Sequence, residues 1–182
     1  MSTPSARAEV LAAAVLETKM LLARYLAGFN DVTHVRQVPD LPNHVAWALG
    51  HCALTMHTVA AKFDGRSLPR EDFVTGDGTQ GSRDRGVYDT EAVAFGSRPE
   101  ERHDRFPRLE RCAQIYNSAA DRLAGAIRQA DDATLDKPVP WGATGASVPL
   151  WALAVRMVFH NGFHTGQIAD LRRALGFKSI FG

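Results

Sequence analysis

The sequence predicts an all-α protein, a four-helix bundle with a long crossover between its second and third helices. Three observations carry that reading. Apolar residues recur at three- and four-residue steps in four separate segments, the period of an amphipathic helix. Turn-forming Gly, Pro, Asn and Asp cluster between those segments. The 182 residues suit a single domain spanning 1–182, a body large enough to bury a core without disulfides. Metal, if bound, would then serve function more than folding.

The first predicted helix covers Ala6 to Phe29, where Leu11, Val15, Leu22, Leu26 and Phe29 share a face. Residues 30–40 carry turn chemistry and read as a connection. The second helix is expected to open near Asp40-Leu41-Pro42, an acidic cap and an early proline, and to run to Phe63 before Asp64-Gly65 stops it. No Asp, Glu, Lys or Arg lies between Leu41 and Ala61. Three histidines and two threonines after residue 43 make this stretch too polar for lipid, so it reads as a buried central helix. From Gly65 to Ser97 glycine punctuates Asp, Arg, Ser and Thr, which predicts a long crossover with one helical turn near Asp89 to Ala94. A loop of that length is either a lid or binding loop, or disordered.

The third helix is placed at Pro107 to Ala130, with Leu109, Cys112, Tyr116, Ala119, Leu123 and Ile127 facing inward. Ser97-Arg98-Pro99-Glu100 also has the form of a capping box for an earlier turn. Asp131 to Ala146, with Pro138, Pro140, Gly142 and Gly145, reads as an irregular loop whose Trp141 could cover one end of the bundle. The fourth helix is expected to begin at the hydroxyl cap Ser147 and Pro149 and to end at Gly176.

The inward stripe of that last helix is Leu153, Met157, His160, His164, Gln167, Leu171 and Leu175. Two histidines four residues apart on a helix stand one above the other and can converge on one ion. Polar groups in an apolar seam cost on the order of 1–3 kcal/mol each if unpaired, so the stripe calls for a ligand. Neutral imidazoles favour a divalent ion such as Zn, Ni or Fe. A third ligand should come from a facing helix, and His51 on the charge-free second helix is the best candidate. Three protein ligands would leave coordination positions open for water or substrate. His44 lies roughly 10 Å from His51 along the helix, too far to share the ion. His34, His57 and His103 are not taken as ligands. Gly162 and Gly166, again four apart, suggest either close approach of another backbone or space for a substrate. A helical HExxH protease would need Glu where Asn161 stands, so the general base is missing.

A formal net charge of +1, with basic residues scattered among acidic ones, leaves no footprint for nucleic acid or an anionic membrane. Cys52 and Cys112 lack CxxC spacing and read as reduced core thiols. Met1 to Ser5 lack the basic-then-apolar order of a signal peptide, so the expected location is cytoplasmic. The crossover and the apolar second helix leave room for a homodimer.

Asn43-His44-Val45-Ala46-Trp47-Ala48-Leu49-Gly50-His51 and His160-Asn161-Gly162-Phe163-His164-Thr165-Gly166-Gln167-Ile168, followed by Leu171 to Gly176, resemble the DinB-like superfamily of bacterial four-helix-bundle metalloproteins. The resemblance implies that His51, in a Trp-x-x-Gly-His stretch, joins His160 and His164 on one divalent metal. It implies thiol chemistry as found in some members, S-transferases using bacillithiol, mycothiol or glutathione and a mycothiol-dependent isomerase. On that footing Gln167 is expected to orient a ligand or substrate, Trp47 to form a wall, and the substrate to be an electrophilic small molecule. The alternative is a bundle that binds metal or a small ligand without catalysis in a stress response. No residue stands out as a general base.

Overall fold

Four long helices pack around one apolar core in a computed structural model that describes residues 5–142 and 145–181. Met1 to Pro4, on which most of the reading of the N-terminus rests, lie outside the described residues. The helices are α1 (Ala6–Leu26), α2 (Val45–Asp64), α3 (Leu109–Arg128) and α5 (Leu150–Ala174). A short helix, α4 (Asp132–Asp136), follows α3. α1 and α2 each pack against both α3 and α5, so α1 and α2 occupy opposite corners of the bundle. The expected inward faces of α1 and α3 are buried: Val15 and Leu22 on one, Cys112, Tyr116, Ala119, Leu123 and Ile127 on the other.

α1 starts at Ala6 as expected; the other long helices start elsewhere than expected, for reasons that lie outside each helix. Asp40 adopts a left-handed conformation with φ 66° and so serves a turn, while α2 begins at Val45 with His44 as its cap. The His44 Nδ1 accepts the Trp47 N–H at 3.1 Å, and its Nε2–H donates to the Glu100 carbonyl. Burial holds this imidazole down to about 3. At the other end Gly65, with φ 69°, supplies the left-handed cap. Ser97 starts no helix. α3 begins at Leu109, and its first N–H is capped from a distance by Asp31 at 2.9 Å.

The stretch Asp131 to Gly142 is more ordered than the sequence suggests. Besides α4 it forms one strand of an antiparallel hairpin, β3 (Pro138–Trp141) with β4 (Ala146–Pro149), in the register Pro138 with Pro149 and Trp141 with Ala146. The hairpin takes Ser147 into β4, so Ser147 cannot cap the last helix. α5 starts at Leu150, whose N–H donates to the Lys137 carbonyl at 3.1 Å.

The connection from α2 to α3 holds two parallel two-residue strands, β1 (Phe73–Val74) and β2 (Tyr88–Asp89), and a 3-10 turn at Glu91–Val93. Tyr88 is wholly buried, and its hydroxyl donates to the Ala46 carbonyl at 2.8 Å. Its ring lies so near Gly50 that a Cβ there would stand 2.6 Å from the ring. The buried Asp89 carboxylate accepts the backbone N–H groups of Gly78, Gln80 and Glu91 at 2.8–3.0 Å. This segment is pinned to the bundle by side-chain anchors.

A buried polar node joins the long helices. Asn161 of α5 donates to Thr18 Oγ1 of α1 at 3.3 Å and meets Met56 Sδ of α2 at 3.2 Å. Thr18 in turn contacts the Tyr116 hydroxyl of α3 at 3.0 Å.

Candidate metal centre

His51 projects from α2, and His160 and His164 from the facing side of α5. One ring nitrogen from each lies within 4.8 Å of the others. His51 and His164 are buried and His160 is half-buried. The α5 period puts the two histidines in the seam between Met157 and Leu171, as the spacing predicts.

Hydrogen bonds fix which nitrogen of two rings is free. His51 Nδ1 lies 2.8 Å from the Val93 carbonyl; a carbonyl only accepts, so Nδ1 carries the proton and Nε2 keeps a lone pair. His164 Nδ1 is 2.8 Å from Gln167 Oε1, and the same oxygen accepts from Asn43 Nδ2 at 2.8 Å. His164 Nε2 is left free in the same way. His160 Nε2 stands 3.2 Å from His51 Nε2, and its Nδ1 is buried with no partner. Burial lowers the pKa of all three, to about 4 for His160 and for His164. Neighbouring imidazoles add to the effect for His160 and His164. The rings are therefore neutral at physiological pH and offer lone pairs.

Trp47 stacks on His51 with centroids 4.5 Å apart and planes 13° apart, and its Nε1–H donates to Ser97 Oγ at 2.9 Å. Gln167 sits beside His164. The other histidines do not join the cluster. His57 faces α3, where Arg122 donates to its Nδ1 at 3.2 Å. His34 binds the Pro107 carbonyl at 2.9 Å. Gly162 and Gly166 have no neighbour within 4 Å of where a Cβ would sit, so no backbone approaches them.

Two parts of the arrangement escape sequence reasoning. The Val93 carbonyl is a backbone group in a loop and carries no residue signature. Asn161 is a structural donor of the core, a role hidden because its neighbours His160 and Gly162 direct attention to the adjoining face. Above the histidines opens a cleft of about 750 Å³, with Leu54, Phe95, Trp141, Phe159 and Phe163 among its walls.

A mostly helical bundle with a three-histidine cluster compatible with a metal ion is the class that the fold and site define. The profile of the DinB superfamily matches residues 14–168, and the chain belongs to that superfamily. A crystal structure of a conserved protein from Enterococcus faecalis has a similar fold, with a TM-score of 0.65 at 13% identity, covering 91% of this chain and 94% of that one. No curated protein matches the chain. Among the described residues no helix is long and apolar enough to cross a membrane.

Proposed function

We propose that the protein is a metal-dependent enzyme that transfers a low-molecular-weight thiol to an electrophilic small molecule. The observation that carries the reading is the convergence of three neutral imidazoles, two with their far nitrogen already committed to an acceptor. The donor set fits a divalent ion such as Zn, Ni or Fe: nitrogen ligands, outer partners that orient two of them, and a free His51 Nε2 lone pair 3.2 Å from His160 Nε2. His51, His160 and His164 would hold it. Gln167 orients His164, the Val93 carbonyl orients His51, and Trp47 walls the site. A divalent ion bound there supplies a lowered thiol pKa and polarisation of an electrophile.

The chain's own thiols are unsuited to the attack. Cys52 and Cys112 are buried, and burial pushes both pKa values up, that of Cys112 to about 12. A nucleophilic thiolate must be exposed and acidic, so the thiol has to arrive from solution. The cleft over His51 and His160 is open to it.

A second reading, metal or small-ligand binding without turnover, is favoured by the lack of an acidic side chain among the described residues lining the cleft. Conjugation assays with bacillithiol, mycothiol and glutathione, each with added Zn, Ni or Fe, separate the two. The enzyme reading predicts metal-dependent turnover that His160→Ala lowers by at least about 100-fold, the scale of losing an essential electrostatic group. Stoichiometric metal without turnover on any of the three would leave the binding reading standing.

A further inference from the structure

The cleft over the histidines has a chemical asymmetry that specifies its ligand more narrowly. Its walls are aromatic, and several are exposed to a degree unusual for large apolar side chains: Phe95 at 96%, Phe159 at 77% and Phe163 at 56%. These groups crowd one opening, and Phe95 follows closely on Val93, whose carbonyl orients His51. Among the described residues a single charged side chain lines the cleft, Arg156. Among the described residues it has no carboxylate partner. Arg156 precedes His160 by one turn on α5, about 6 Å of helical rise.

We propose that the electrophilic substrate is an amphipathic carboxylate, its apolar body packed among Phe95, Trp141, Phe159 and Phe163 and its anion paired with Arg156. A guanidinium matches a carboxylate with two parallel N–H donors, and aromatic walls suit a phenyl-sized or branched body. A body spanning one helical turn sets the carboxylate at Arg156 while its other end faces His51 and His160. Among the described residues a dianionic substrate finds no second charged side chain lining the cleft, and a sugar-like one finds walls that are mostly apolar. The proposal deepens the thiol-transfer reading and rests on it for which end of the ligand reacts.

Calorimetric titration with two probes of one shape, 4-phenylbutyrate and 4-phenylbutanol, tests it. The acid should bind wild-type protein about 10-fold tighter than the alcohol, the size expected of one charge-assisted pair. Arg156→Gln should bring the two to parity, Arg156→Lys should restore only part of the difference because an ammonium lacks the two-donor fork, and Phe95→Ser should weaken both probes alike. Equal affinities in the wild type, or a preference that Arg156→Gln leaves unchanged, would overturn the proposal. So would failure of both probes to bind, the result expected if a second copy of the chain covers the aromatic face. The titrations are repeated after chelator treatment, with circular dichroism to verify the fold. A preference for the acid that survives chelation and depends on Arg156 supports the proposal even if the metal reading fails, so the two stand or fall separately.

Discussion

At the scale of single residues, the centre is governed by which nitrogen of each imidazole holds the proton. Gln167 accepts both from His164 Nδ1–H and from Asn43, so one amide oxygen fixes a ring and is itself fixed. Removing an outer partner of this kind costs about 10- to 100-fold in metal affinity. Gln167→Ala should therefore weaken binding by that factor in a competition titration against a chromophoric chelator, with little change in Tm; an unchanged affinity would deny Gln167 the role. His51, His160 and His164 could be read from the sequence because helical spacing places side chains on faces whatever the surroundings. Asn161 could not be read correctly. Its contacts with Thr18 and Met56 depend on three helices meeting, which no local pattern records.

At the scale of elements, α2 is the part most tightly constrained by its neighbours. Tyr88 lies flat against Gly50, the residue before His51, with ring atoms 2.6–2.8 Å from where a Cβ would be. A buried ring hydrogen-bonded to Ala46 cannot retreat cheaply. Gly50→Ala should destabilise the fold by about 1–3 kcal/mol, the usual cost of overpacking, read as a lower urea midpoint. It should also weaken metal binding, since the shift falls on the turn that carries His51. A midpoint equal to the wild type's would show that the ring has room. The same dependence on neighbours explains the misplaced helix starts. Asp40 and Ser147 have the chemistry of caps, but a left-handed turn claims one and a hairpin the other. The periods that reveal helix interiors say nothing of either. The glycines of α5 show the limit from the opposite side: Gly162 and Gly166 face open space, and no contact in the structure explains them.

At the scale of the whole molecule, burial of neutral histidines ties stability to pH. His57 is held down to about 4 by burial, with Arg122 adding to it, and His44 to about 3 by burial, against a usual 6.5. Below about pH 6.5 the unfolded chain takes up protons that these folded-state rings refuse until near pH 4 and pH 3. Stability therefore falls as pH drops through that window and is complete above it. Asp72, raised by burial, acts in the opposite sense only near the ordinary carboxylate range. Urea midpoints of chelator-treated protein should decline from pH 7 to pH 4.5, and His57→Gln should flatten the decline; a flat profile in the wild type would contradict the burial argument. The central claim is that the bundle brings three histidines from α2 and α5 onto one divalent ion. Elemental analysis of tag-free protein, before and after loading with Zn, Ni or Fe, tests it most directly, with circular dichroism to verify the fold. The account predicts one ion per chain in the wild type and its loss in folded His160→Ala; a wild type that stays without stoichiometric metal, or a variant that keeps it, would contradict the claim.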